Sequence, residues 1–139
     1  MLKNFFNLLY FLFTYVNLYV NILLQEVNKL RIIYTKSYEK TYKKIKKHVL
    51  EYNNLLKILD IIENVDTFNE LLNLPIAKMY GFEQLKYENN EFYSFNLNKN
   101  KGVIRLIVKP KDNYVELYLV MISYKHYKDF NAKGVIFYE

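Results

Sequence analysis

The chain has no cysteine, only two histidines, three glycines and two prolines among its 139 residues. Without a thiol there is no disulfide framework, no thiolate zinc site and no cysteine nucleophile. His48 and His126 are too few for a histidine-rich metal cluster, which removes most metalloenzyme readings. So little glycine and proline excludes a linker or a collagenous protein, and a hydrophobic fraction of 52% excludes a disordered one. The length suits one domain with an extension.

What is abundant is lysine, asparagine, isoleucine and aromatic residues, with a net charge of +6. A modest positive excess is compatible with nucleic acid, an anionic membrane or an acidic protein, and chooses none of them. Where the charges fall says more. Residues 1–28 carry only Lys3 and Glu26, and residues 29–57 hold nine basic against two acidic side chains. Residues 60–91 reverse to a net −5, and residues 92–139 return to +4. The sharpest discontinuity, near residue 28, divides the chain into a hydrophobic extension, 1–28, and a domain, 29–139.

Residues 5–24 contain no charge and are long enough to cross a hydrocarbon core of ~30 Å as a helix. Asn7, Thr14, Asn17 and Asn21 recur at helical spacing and form one polar face. No small residues near 20–30 supply a signal-peptide cleavage site. Three readings stay open: a membrane anchor, an amphipathic helix packed on the domain or a partner, and an upstream stretch included in the reading frame.

Residues 30–35 are β-branched and aromatic and predict a strand. Ser37 then opens a helix in which Tyr42, Ile45, Val49, Tyr52, Leu56 and Leu59 form the buried face. Lys43, Lys44, Lys46, Lys47, Glu51 and Asp60 form its wet face. Thr67 with Glu70 is a capping box for a short second helix, and Pro75 ends that helix or begins the next turn. Residues 93–98 alternate with period two as a half-buried strand, followed by hairpin turn chemistry over 98–102. A strand over 103–108, a turn over 109–113 with Pro110 at its corner, and a long apolar strand over 114–122 complete a meander. The predicted class is α+β, ordered β-α-α-β-β-β, with helices packed on one face of an antiparallel meander sheet and a further hydrophobic helix in front.

Arg105 lies among Val103, Ile104, Leu106 and Ile107, and a buried unpaired charge costs several kcal/mol or more. It therefore pairs with a carboxylate, Glu116 or Glu83, or lies on an open sheet face that an anion can approach. His126 and Tyr127 follow the last strand, and Glu83 sits in the loop entering the meander.

Gly81-Phe82-Glu83-Gln84-Leu85-Lys86, Phe92-Tyr93-Ser94-Phe95, Ile104-Arg105-Leu106-Ile107 and Ser123-Tyr124-Lys125-His126-Tyr127, in this order, resemble the RelE/ParE superfamily of type II toxins. The order is closest to its YoeB-like branch, over about residues 30–128. The resemblance implies a cytoplasmic, metal-free endoribonuclease without cofactor that cuts mRNA on the ribosome and is silenced by a cognate antitoxin. It makes Glu83 the general base for the ribose 2′-hydroxyl and His126 the general acid for the leaving 5′-oxygen. Arg105 would steady charge on the phosphate, Tyr127 stack on or orient a base, and Lys86 give a second phosphate contact. The basic face over 43–47 is either a contact to ribosomal RNA or a solvated helix face. The chain departs from the family in offering Ser94, Asn96 and Asn98 where more basic residues are usual, and in its N-terminal segment. Two other classes stand beside this reading: a non-catalytic module of the same fold that binds a protein such as gyrase, and a protein anchored in the membrane through residues 1–28.

Overall fold

The computed structural model describes residues 2–27, 29–86, 91–111 and 115–134. The helices are α1 (Leu2–Val27), α2 (Lys36–Ile45), α3 (Val49–Glu63), α4 (Phe68–Asn73) and α5 (Pro75–Met79). The strands are β1 (Arg31–Tyr34), β2 (Glu83–Gln84), β3 (Tyr93–Asn96), β4 (Arg105–Lys111) and β5 (Glu116–Ser123). They form one sheet in the order β1-β5-β4-β3-β2. β1 runs parallel to β5, from Arg31 opposite Glu116 to Tyr34 opposite Leu119, and the other pairings are antiparallel.

Thr35 is the hinge between the first strand and the helices. Its hydroxyl accepts the Tyr38 N–H at 3.0 Å, capping α2, and donates to the Val120 carbonyl at 2.6 Å. One side chain thus satisfies an orphan helix donor and ties α2 to β5.

The single helix predicted from Ser37 to Leu59 is two helices, broken at Lys46-Lys47-His48. The break resets the helical phase. α2 buries Tyr38 and Ile45, whereas α3 buries Glu51, Leu55, Ile58 and Ile62. Val49 and Leu56, expected in the core, are 68% and 44% exposed, and Glu51, expected in water, is buried. Glu51 Oε1 accepts a hydrogen bond from Asn98 Nδ2 at 2.9 Å, which compensates the buried carboxylate and holds its pKa below the ordinary value.

Thr67 caps α4 by accepting the Glu70 N–H at 3.1 Å, but the reciprocal bond of the box falls one residue early, from the Asp66 N–H to Glu70 Oε2. Pro75 opens α5, as its missing N–H allows at a first helical position.

Helices α2 to α5 cover one sheet face. Leu55, Ile58, Ile62, Phe68 and Leu71 pack with Phe95, Leu97, Leu106, Val108, Leu117, Leu119 and Ile122. The opposite face is partly covered by the chain itself: Leu85, Phe92 and Phe130 pack with Ile107, Tyr118, Val120 and Met121. Val120 and Met121 both face that side because a bulge shifts the register between Ile107, opposite Met121, and Val108, opposite Leu119.

The meander is present with shifted ends. β4 runs through Pro110 to Lys111, so the expected corner proline is a strand residue opposite Leu117. The β3 register reaches only Val108, and Pro110 lies beyond it, where a missing N–H disturbs the ladder least. Asp112, Asn113 and Tyr114, in the predicted turn and strand start, lie outside the described residues. β3 buries Ser94 as well as Phe95, so it is covered on both faces rather than one.

Candidate active site

Arg105 opens β4 opposite Asn96 and Ser123. Strand alternation sends Leu106 and Val108 towards the helices and turns Arg105, with Ile107, to the other face. The guanidinium is fixed on three sides. Nε donates to the Gly102 carbonyl at 3.0 Å, and Nη1 donates to Glu83 Oε1 at 2.9 Å and to the Tyr127 hydroxyl at 2.7 Å. Cζ stands 5.1 Å from the Tyr127 ring centroid. Of the two carboxylates expected as partners, Glu83 holds Arg105, while Glu116 pairs with Arg31.

Gly102 reaches its place through a turn built on Asn98. The Asn98 side-chain oxygen accepts the N–H groups of Asn100 and Lys101, and its carbonyl accepts the Gly102 N–H at 2.7 Å. Gly102 has φ +60°, which a residue without Cβ adopts at no steric cost.

Glu83 is placed by a helix stop. The Phe82 N–H bonds to the Ala77 carbonyl and the Gly81 N–H to the Lys78 carbonyl, the paired bonds of a Schellman cap on α5. Gly81 carries the required positive φ, +65°. Phe82 then stacks on Phe95, centroids 4.3 Å apart, and anchors the chain so that Glu83 lands opposite Ser94. Glu83 lies in this two-residue edge strand, not in a loop.

His126 and Tyr127 occupy consecutive left-handed positions, with φ +49° and +70°. Such a conformation persists in residues with a Cβ only where neighbours enforce it. Ser123 and Asp129 do so. Ser123 Oγ donates to Asp129 Oδ1 at 2.5 Å and accepts the Tyr127 N–H at 2.9 Å, while Asp129 Oδ2 accepts the Tyr124 N–H. The His126 N–H donates to the Val103 carbonyl at 3.1 Å, pinning the turn beside the start of β4. The exposed imidazole lies edge-on to the Tyr127 ring, centroids 5.0 Å apart.

The Tyr127 hydroxyl shares a 2.6 Å hydrogen bond with Ser94 Oγ. Burial raises the phenol pKa against the lowering effects of Ser94 and Arg105, so it is neutral at physiological pH. Beside it, a cavity of about 230 Å³ is lined by Leu85, Lys86, Tyr127 and Phe130.

Of the five residues singled out from sequence, Glu83, Arg105 and Tyr127 meet through direct hydrogen bonds. Lys86 lines the adjoining cavity, and His126 arrives through its backbone and its ring contact with Tyr127. Sequence reasoning missed the supports. Ser94 counted only as a missing charge, yet a small hydroxyl in an otherwise aromatic strand was the available signal. Asp129 fell just past the stretch of resemblance. Among the described residues, no group of three or more His, Asp or Glu is arranged to hold a metal ion.

Comparison with solved structures defines the class of fold: this is the α+β fold of RelE-like toxins. The particular likeness is to YafQ of E. coli. The YafQ toxin of the DinJ–YafQ toxin–antitoxin complex superposes with a TM-score of 0.52 at 21% identity, covering 73% of this chain and 99% of that one. A second structure of that complex also gives 0.52, at 19% identity over 74% of this chain and all of that one. YafQ from strain BL21(DE3) gives 0.50 at 19% identity, covering 69% and 93%. No protein-family model and no curated protein matches the sequence.

Proposed function

We propose that residues 29–139 are the toxin of a type II toxin–antitoxin system of the RelE/ParE superfamily, an endoribonuclease that cuts mRNA on the ribosome, with residues 1–28 as an extension to that domain. The observation that carries this reading is the Arg105 guanidinium, held by the Gly102 carbonyl and the Tyr127 hydroxyl and facing a carboxylate that lies largely in water. The order of the four motifs favours the YoeB-like branch, and the fold shared with YafQ of the DinJ–YafQ complex supports a cognate antitoxin as partner. An antitoxin segment rich in acidic and apolar residues suits the apolar cavity at Tyr127 and the guanidinium beside it.

In this mechanism the scissile phosphate takes the place of the Glu83 carboxylate on Arg105. Released, Glu83 removes the proton from the ribose 2′-hydroxyl, whose oxygen attacks phosphorus. His126 protonates the departing 5′-oxygen, leaving a 2′,3′-cyclic phosphate and a 5′-hydroxyl. Acid and base are each worth ~10²–10⁴ in rate. A prepositioned guanidinium stabilises the charge developing on the phosphate oxygens without a metal. Tyr127 steadies that guanidinium and offers its ring to a neighbouring base, with Lys86 as a second phosphate contact. The exposed lysines 40, 43, 44, 46 and 47 supply a salt-sensitive contact to ribosomal RNA. Dependence on the 2′-hydroxyl makes the activity specific for RNA.

Induced synthesis of the chain should arrest growth in the cytoplasm of a bacterial host, and Glu83→Ala or His126→Ala should relieve the arrest. Unaltered toxicity of both variants would contradict the mechanism.

A further inference from the structure

We propose that α1 is a single transmembrane anchor that holds the folded domain at the cytoplasmic face of a bilayer. This does not rest on the ribonuclease reading. The span Leu2–Leu24 is long and apolar enough to cross a membrane, and every one of its side chains is exposed in the structure. At ~1.5 Å per residue it is about 34 Å long, against a hydrocarbon core of ~30 Å.

Three features select the bilayer over other occupants. The first is angular. Over residues 5–24, at about 100° per residue, Asn7, Thr14, Asn17 and Asn21 fall within an arc of roughly 80°, and apolar and tyrosine side chains occupy the remaining three quarters of the circumference. Phe11, Leu12, Phe13, Tyr15 and Val16 alone point in widely separated directions, and all are more than 45% exposed. A second copy of α1 or a docked partner helix covers one seam of such a surface and leaves the rest in water. Lipid covers it all.

The second feature is that the polar stripe carries no charge between Lys3 and Glu26. A helix lying flat in the headgroup region has a strongly charged face, whereas amides and hydroxyls are tolerated within a span, bonded to the helix or to a neighbouring helix. The Thr14 hydroxyl already donates to the Tyr10 carbonyl at 2.9 Å.

The third is the flanking charge. Lys3 lies at the N-terminal end of the span, and Lys29, Arg31, Lys36, Lys40, Lys43 and Lys44 follow it within about 20 residues. Basic residues stay on the cytoplasmic side, which fixes the domain there. The exposed lysines of α2 add attraction to anionic headgroups.

The test is cell-free synthesis of the full chain with vesicles of phosphatidylethanolamine and phosphatidylglycerol, in a Glu83→Ala background so that translation continues. The chain should float with the vesicles after an alkaline carbonate wash. Leu12→Arg with Val16→Arg, mid-span and opposite the polar stripe, should lower flotation by more than about tenfold. Asn17→Leu should float at least as well as the parent, which a water-facing stripe would not predict. In cells, trypsin should reach the domain in inverted membrane vesicles but not in intact spheroplasts. A chain recovered in the carbonate supernatant, or sedimenting without floating, overturns the proposal, as does cleavage from the outside of spheroplasts.

Discussion

Arg105 Nη1 lies 2.9 Å from Glu83 Oε1, and the two side chains differ sharply in exposure: 13% for the arginine and 58% for the glutamate. The cation is fixed by the fold through Gly102 and Tyr127, while the anion reaches in from an edge strand. On the proposed function, such a pair is a site with an exchangeable occupant. In that reading the carboxylate satisfies the guanidinium until the phosphate displaces it, and the arginine is the anchor.

Glu83→Gln should therefore separate binding from chemistry. Cleavage should fall by ~10²–10⁴, as expected for loss of a general base. Affinity for a non-cleavable RNA should hold or rise, because the competing carboxylate is gone. Arg105→Lys should weaken both, since a lysine cannot reproduce the planar fork that meets Gly102, Tyr127 and an anion together. Single-turnover cleavage and equilibrium binding measure the two effects.

His126→Gly should separate stability from activity. Glycine relieves the left-handed strain at φ +49°, which for a residue with a Cβ costs roughly 1–2 kcal/mol. Thermal unfolding should show no loss, or a gain, while cleavage falls by the ~10²–10⁴ of a lost general acid. Lower stability in this variant would mean that the imidazole is a packing group.

Gly81→Ala should damage the site from a distance. A methyl group there meets Asn96 Cβ at 3.1 Å, and φ +65° adds roughly 1–2 kcal/mol of strain. Since Gly81 ends α5 and aims β2, denaturant unfolding should show that loss together with reduced cleavage, although Glu83 is untouched.

Alkali should unfold the domain in a defined window. Burial pushes the Tyr124 phenol up to about 12, with Asp129 adding to the effect, and burial also raises Tyr38 and Tyr127. These groups are raised, so the unfolded chain loses its protons first, near pH 10, while the folded chain keeps them. Stability is intact below about pH 10 and falls as pH rises towards 12. Tyr124→Phe should flatten that slope, at the cost of its 2.7 Å hydrogen bond to the Thr41 carbonyl, about 1 kcal/mol at neutral pH. Denaturant titration at stepped pH reads both.

Much of the architecture was legible in residue pattern: the first strand, the meander, the Thr67 cap and the helices on one face all follow from period and turn chemistry. The break at residues 46–48 was not, because Lys46-Lys47-His48 contains neither glycine nor proline and two apolar stripes with helical spacing run through the residues that follow. One stripe includes Val49 and Leu56, and the other, Leu55, Ile58 and Ile62, is the one that meets the sheet. Only tertiary packing decides between them. The same holds for Glu51, whose partner Asn98 lies 47 residues away.

In the site, charge conflict exposed Arg105, since an arginine in an apolar strand demands a partner. The supports were hidden for the opposite reason. Ser94, Ser123 and Asp129 are unremarkable in sequence, and matter because the β3 pairing and the left-handed turn bring Ser94 and Ser123 to Tyr127, with Asp129 holding Ser123.

The most direct test is to map the ends of an mRNA translated on purified ribosomes with the chain present. Cuts are expected within the codon at the A site, leaving 2′,3′-cyclic phosphate and 5′-hydroxyl ends. The cuts should disappear when the scissile nucleotide is 2′-deoxy, or in Glu83→Ala and His126→Ala. Intact mRNA and undisturbed translation, with DNA supercoiling by gyrase blocked instead, would contradict it.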